Sequence, residues 1–165
     1  MVVFHMVKKS KQMPEVGELI MGTVYMIQPH GAYVKLDEYE NLDGMVHISE
    51  IASTWVRNIR NYVREGQKVV AKVLRVDESK RQIDLSIRRV TEQQKKAKIQ
   101  EYKRAQKAEN LLKIAAEKLG KTLDDAYKEV GWPLEKKYGE IYGAFELLKE
   151  KGISVLKNAN IKEEW

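Results

Sequence analysis

Residues 44–66 read GMVHISEIASTWVRNIRNYVREG. The first five residues have the apolar run of a half-buried strand, and then the pattern stops: from Ser49 to Gly66 neither a period of two nor a period of 3.6 is sustained. Strand-like alternation resumes only at KVVAKVLRV, residues 68–76. Working outward, ELIMGTVYMI and AYVKL precede this stretch and QIDLSI follows it, so five strands are expected. The breaks between them, QPHG, DEYENLDG, Ser49–Gly66 and DESKR, carry turn-forming or charged residues.

Five short strands in about ninety residues, with the longest connection between the third and fourth, is the layout of a small closed Greek-key barrel, the OB-fold. Gly22, inside the first strand, marks either a bend or bulge where that strand serves two sides of the barrel, or a plain weak spot. After SIRRV the period becomes helical. Tyr102, Ala105, Ala108, Leu112, Ala115 and Leu119 form one stripe on a helix from about Glu92 to Gly120, with Thr91 as its N-cap. A second helix is expected from the Thr122–Asp125 capping box to Gly131. A third opens at Pro133 and carries Leu134, Tyr138, Ile141, Phe145 and Leu148 as far as Gly152, and ISVLKNAN makes a short fourth. Two domains are therefore expected, an all-β five-stranded OB-fold barrel over residues 1–90 and an all-α helical domain over residues 91–165. RRVTEQQ joins them without a Gly/Ser linker, which restricts the angle between them. The final IKEEW reads as a cut between domains, or as a short native tail.

Composition narrows the function classes. Of the 165 residues 43% are hydrophobic and 8% aromatic, enough for packed cores. No run approaches the roughly 18 to 20 apolar residues of a membrane span, and MVVFHMVKKSKQ lacks the features of a signal peptide, so a cytoplasmic protein with no membrane partner is expected. Zero cysteines exclude disulfides, thiolate metal sites and a cysteine nucleophile. The net charge of +6 is uneven: Lys80 to Lys107 holds ten basic residues against three acidic ones. Such an excess attracts a polyanion, nucleic acid first, or else it is the solvated face of a lysine-rich helix.

No enzyme site emerges. His5, His30 and His47 have no metal-ligand spacing, no Gly-rich phosphate loop precedes a helix, and no Ser, His and acid constellation can be argued, so no cofactor and no metal are expected. Asp37, Glu38, Glu40 and Asp43 are expected to serve a loop as turn-forming and solubilising groups. The barrel surface is more informative. Tyr33 and His47 can stand on one outward face with His30 and Lys35 beside them, and rings next to cations are what single-stranded RNA binding uses. In the alternative, Tyr33 packs on the barrel surface and His47 is a hydrogen-bonded cap.

Taken together, GELIMGTV, HGAYVKL, GMVHISEI, GQKVVAKVLRVD and IDLSIRRV resemble the S1-type RNA-binding domain over about residues 16–90. SEIASTWVRNIR, VDESKRQIDLSIRRVT and KAKIQEYKRAQKAENLL further resemble the alpha subunits of archaeal and eukaryotic translation initiation factor 2, of the archaeal type, to the end of the chain. The resemblance implies a non-catalytic, RNA-binding part of a heterotrimeric initiation factor. It would contribute contacts to mRNA and the small ribosomal subunit while initiator tRNA is delivered. The implied RNA partners are mRNA, small-subunit ribosomal RNA and, in the complete factor, initiator tRNA. The implied protein partners are the beta and gamma subunits, gamma binding through a C-terminal alpha-beta domain that has no counterpart here.

Residue by residue, His30, Tyr33 and His47 match stacking positions, and Asp77 matches an acidic position before the last strand. The basic residue usual just before that strand aligns with Gln82, with Arg81 one place earlier. The serine that stress kinases phosphorylate in eukaryotic relatives aligns with Ala52, so that regulation is not expected. In the long loop Trp55, Arg57 and Arg60 offer one stacking ring and two phosphate-binding cations. Alternatively the tryptophan packs on the barrel and the arginines form salt bridges. Packing is the preferred reading of Trp55, and RNA contact that of Arg57 and Arg60. Lys35, Arg64, Lys80, Arg81 and Arg88 complete the expected RNA-contacting set. Rival readings are another S1-domain protein of RNA turnover or the ribosome, and a protein-interaction scaffold.

Overall fold

The computed structural model describes residues 8, 9 and 11–165. His5 and most of MVVFHMVKKSKQ lie outside the described residues. The chain divides into two compact units, Met1–Tyr102 and Lys103–Trp165.

In the first unit β1 (Leu19–Gln28), β2 (Gly31–Leu36), β3 (Asp43–His47), β4 (Lys68–Asp77) and β5 (Gln82–Ser86) close a barrel in the order β1-β2-β3-β5-β4. β3 and β5 pair in parallel, and the other neighbours are antiparallel. Alternation along the strands sends Val24, Ala32, Val34, Val46, Val73, Ile83 and Leu85 into the interior, where all are essentially inaccessible. Each of the valine, isoleucine and leucine side chains among them contributes roughly 1.5–3 kcal/mol by burial.

Gly22 pairs with Leu36 on one side and Val69 on the other. A Cβ there would stand 2.3 Å from Val34 Cγ1 and 3.0 Å from the Lys35 carbonyl, so close approach is what demands glycine. The bulge of β1 lies further along, at Tyr25, between the Val24–Val34 and Met26–Tyr33 pairs.

The long connection is held by aliphatic residues. Two 3₁₀ turns, Ile48–Glu50 and Ile59–Asn61, punctuate it, and Ile51, Val56, Ile59 and Val63 are buried in the barrel core. Trp55 is 80% exposed, which corrects the expectation that it anchors the loop. A second correction concerns Asp37 and Glu38, expected as solubilising loop groups but both buried. The Thr23 hydroxyl donates to Asp37 at 2.9 Å, and the Lys68 ammonium donates to it at 2.7 Å. Glu38 accepts from Met21 N at 3.0 Å and from Lys98 Nζ at 2.9 Å.

α1 (Glu92–Lys118) starts at a reciprocal cap in which Gln94 N donates to Thr91 Oγ1 and Thr91 N donates to Gln94 Oε1. Its residues up to Tyr102 belong to the barrel unit. In the second unit α2 (Leu123–Ala126) begins at the Thr122–Asp125 capping box. No stop follows at Gly131: a π-helical turn, Tyr127–Gly131, leads directly into α3 (Trp132–Tyr138). Gly131 is a packing requirement, since its Cβ would meet Leu112 and Tyr127 side-chain carbons at 3.2 Å. The break comes at Gly139, with φ of +87°, so the expected third helix is two helices, α3 and α4 (Ile141–Lys151). α5 spans Ser154–Asn158. Leu112, Ala116, Ala126, Tyr127, Val130, Leu134, Ala144 and Val155 form the core of this unit. The stripe on α1 drifts from Ala115 to Ala116, leaving Leu119 39% exposed.

Candidate nucleic-acid interface

The period of two that buries Ala32, Val34 and Val46 turns Tyr33 and Lys35 of β2 and Asp43, Met45 and His47 of β3 to the outside. Register aligns them: Tyr33 faces Met45, Lys35 faces Asp43, and His47 faces Gly31. On the other side of β2 the bulge exposes Tyr25 and Met26 in succession, and the Tyr25 and Tyr33 ring centroids lie 6.4 Å apart. His30 enters from the β1–β2 hairpin with its ring edge-on to Tyr33 at 5.8 Å and its Nε2 2.9 Å from the Tyr33 hydroxyl. Burial, and then the charge of Asp43, push the Tyr25 phenol up, so it stays protonated and donates to Asp43 at 3.1 Å. Lys35 Nζ donates to the same carboxylate at 3.1 Å and stands 4.8 Å from the Tyr25 ring. Beside these groups runs a cleft of about 360 Å³ whose lining includes Tyr25, Tyr33, Asp43, Met45, Arg81 and Asp84.

The long connection is rooted on the same strands. It leaves β3 at His47, whose Nδ1 accepts from Ser49 N at 3.1 Å and lies 2.7 Å from Ser49 Oγ. It rejoins the barrel where Val24 N donates to Gln67 O and Gly66 N donates to Val24 O, next to Tyr25. His47 is thus both the hydrogen-bonded cap and an exposed ring. Between these roots Trp55 projects with the Arg57 guanidinium 5.3 Å from its ring, and Tyr62 is 44% exposed. Arg60 donates to Glu65 at 3.0 Å, so its charge is compensated. Arg57 and Arg64 are exposed. Ala52 is half-buried against the barrel core and offers no hydroxyl.

The remaining expected residues are dispersed. Asp77 accepts from the Ser79 hydroxyl at 2.7 Å and from Lys80 N at 3.2 Å, which holds its carboxyl below the usual range and fixes the β4–β5 turn. Lys80 is exposed in that turn, and Arg81 closes it with φ of +53°. Arg88 and Arg89 both donate to the buried Glu50, at 3.0 and 2.9 Å. Lys98 is buried against Glu38, and Arg104 donates to Glu140 at 3.1 Å. Arg88, Arg89, Lys98 and Arg104, all within the basic stretch, are therefore paired with carboxylates. The structure brings together His30, Tyr33, Lys35 and Arg81 with Tyr25, Met45 and Asp84, which sequence reasoning passed over, and with Asp43, which was expected as a solubilising loop group and instead opens β3. Tyr25 could have been found from the adjacent Tyr25–Met26 pair, where alternation breaks.

Among the described residues no group of His, Asp and Glu is placed to hold a metal ion, and no helix is long and apolar enough to cross a membrane.

Residues 13–88 match the S1 RNA binding domain family, and residues 126–165 match the family described as eukaryotic translation initiation factor 2 alpha subunit. The translation initiation factor 2 subunit alpha of Thermococcus onnurineus is 62% identical over 160 residues, covering 97% of this chain and 58% of that protein. The Methanopyrus kandleri protein of the same name is 52% identical, covering 97% and 60%. The crystal structure of an a/eIF2alpha-aDim2p-rRNA complex from Pyrococcus horikoshii OT3 contains a chain 59% identical, with a TM-score of 0.84 over 93% of this chain and 90% of that one. The intact alpha subunit of aIF2 from Pyrococcus abyssi superposes with a TM-score of 0.90 at 59% identity, over 94% of this chain and 59% of that one. This chain spans less than two thirds of the length of the curated relatives it matches.

Proposed function

This chain belongs to the family of translation initiation factor 2 alpha subunits, and from that membership we propose that it is the RNA-binding part of such a subunit, contacting mRNA and small-subunit ribosomal RNA while initiator tRNA is delivered. It does so in the cytoplasm, without catalysis of its own. Residues 1–90 act as the RNA-binding module, and residues 91–165 as the helical module that accompanies it. The beta and gamma subunits are its protein partners, with gamma bound through the part of the relatives' length that lies outside this chain.

The observation that carries this reading is Trp55, 80% exposed with the Arg57 guanidinium 5.3 Å from its ring. An indole held in water gives up its burial energy, and beside a cation it has the form of a platform on which an unpaired base stacks while the cation meets phosphate. Tyr25, Tyr33 and His47 extend the supply of rings along the barrel strands, and His30 adds one from the β1–β2 hairpin. That a relative from Pyrococcus horikoshii was crystallised in a complex with aDim2p and rRNA is consistent with this reading.

One observation favours a protein-interaction scaffold instead: the carboxylate pairing of Lys35, Arg60, Arg88, Arg89 and Lys98 leaves less free positive charge than the sequence promised. Fluorescence anisotropy with a labelled single-stranded RNA separates the two. Binding at low salt should weaken as salt rises, log K falling with log salt by about 0.7 per phosphate neutralised. Absence of binding at low salt would overturn the RNA-binding reading and leave the scaffold.

A further inference from the structure

Asp84, on β5, faces Met45 across the parallel β3–β5 pairing and lines the same cleft as Tyr25, Tyr33 and Arg81. Its backbone is paired in the sheet, with Met45 on one side and Arg75 on the other, but among the described residues its carboxylate has no hydrogen-bond or ion-pair partner. The neighbouring carboxylate, Asp43, is already engaged by the Tyr25 hydroxyl and Lys35 Nζ, both at 3.1 Å. Arg81 sits at the rim with φ of +53°, a conformation unfavourable for a residue with a side chain and therefore one that the surrounding turn must maintain. The cleft thus presents ring surface, one thioether, one guanidinium and one half-buried carboxylate whose acceptor capacity is unused.

A carboxylate facing RNA is repelled by phosphate, so Asp84, which follows Tyr33 and Met45 along one row across β2, β3 and β5, favours entry of a base over entry of the backbone into the cleft. An ionised carboxylate only accepts hydrogen bonds, through two parallel oxygens. Among the unpaired bases, guanine alone offers two adjacent donors, N1–H and the N2 amine, on its Watson–Crick edge. Cytosine and adenine offer one amine beside an acceptor nitrogen that the carboxylate would repel, and uracil offers one N–H flanked by two carbonyls.

We propose that this cleft reads guanine in single-stranded RNA, with Asp84 accepting from N1–H and the N2 amine and the Tyr25 and Tyr33 rings bearing on the flat face of the base. Arg81 at the rim then serves the phosphate next to that nucleotide. The inference rests on the RNA-binding reading above and adds to it a base preference that stacking alone would not supply, because every base has a π-face.

The test is anisotropy at low salt with oligouridine nonamers carrying guanine, adenine, cytosine, uracil or inosine at the central position. The guanine oligomer should bind about ten-fold more tightly than the others. Inosine, which keeps N1–H and lacks the N2 amine, should lose most of that preference, and 7-deazaguanine, altered only on the opposite edge, should keep it. Asp84→Asn, whose amide cannot accept through both atoms, should bring the guanine oligomer down to the level of the rest. Equal binding of all the oligomers, or a preference for any other base, would overturn guanine reading while leaving RNA binding intact. A preference that persists with inosine would overturn the assignment of the N2 contact to Asp84. Failure of every oligomer to bind would remove the RNA-binding reading itself and this inference with it. The base series uses the unaltered protein, so the proposal can fail whether or not the variant folds.

Discussion

Lys98 Nζ lies 2.9 Å from Glu38 Oε2, and both side chains are only 3% exposed. Glu38 is held by Met21 N at 3.0 Å and approached by Lys9 at 3.4 Å, while Lys98 also reaches Glu101 at 3.3 Å. A buried ion pair of this kind ties the first turns of α1 to the β2–β3 connection, and if either member is lost the other falls back on a more exposed partner, Lys9 for Glu38 and Glu101 for Lys98.

Lys98→Met should destabilise the protein, measured by chemical denaturation, but by less than the about 3–5 kcal/mol of a wholly unpaired buried charge, because the partly exposed Lys9 at 3.4 Å still faces Glu38. Adding Glu38→Gln should recover a substantial part of that loss, since the amide still accepts from Met21 N. A single-variant cost below about 1 kcal/mol would show that Lys9 and solvent together compensate the carboxylate.

Trp55 and Ile59 divide the long connection between binding and stability. Trp55→Ala should leave the unfolding free energy within about 0.5 kcal/mol of the parent. The same change should weaken single-stranded RNA binding by roughly 1–3 kcal/mol. Ile59→Ala, in a side chain 3% exposed, should do the reverse and cost about 2–5 kcal/mol of stability. Equal stability losses in both variants would return Trp55 to an anchoring role.

Glu50 gives the protein an acid-sensitive joint. Burial alone would raise its carboxyl, but hydrogen bonds from Arg89 and Arg88, and the charges of both, overcome this and hold it below its ordinary value of 4.5. A value lower in the folded than in the unfolded state means that the unfolded chain binds the proton more readily. The pair's contribution is then complete above about pH 4.5 and is lost as pH falls through the lower folded value. Urea midpoints of the parent and Glu50→Gln, followed from pH 7 to pH 3, should stand apart at neutral pH and converge in acid. A gap independent of pH would mean that the carboxylate charge is not its source.

Two glycines of the helical unit should respond oppositely to alanine. Gly139 has φ of +87° and nothing within 4 Å of a built Cβ, so Gly139→Ala meets only the backbone penalty of a left-handed residue, about 1–2 kcal/mol. Gly143 lies inside α4, where a Cβ would make ordinary contact with Glu140 at 3.4 Å, so Gly143→Ala should stabilise by about 0.4–1 kcal/mol. Thermal unfolding of the two variants decides the sign of each.

Much of the fold was legible because its signals are local. Alternation in ELIMGTVYMI, AYVKL and KVVAKVLRV located the strands, and the caps at Thr91 and Thr122 announce themselves by spacing. Gly131 and Gly139 were misjudged for one reason. A glycine looks the same in sequence whether it is required by a neighbour's side chain, as Leu112 requires Gly131, or by a positive φ, as at Gly139. The interface was half legible. Rings and cations were visible in the sequence, but Tyr25 depends on a bulge, and Asp84 depends on the β3–β5 closure that joins residues far apart in the chain.

Periodicity and capping are properties of neighbouring residues, and they suffice to specify a five-stranded barrel followed by helices. Which charges remain available for a ligand depends instead on contacts between residues far apart in the chain. Arg88 and Lys98 read as solvent-facing cations until Glu50 and Glu38, many residues away, are brought to within about 3 Å of them. A charge is compensated by whatever the fold places beside it, and that distance is set by barrel closure and helix docking, neither of which is written in the residues on either side.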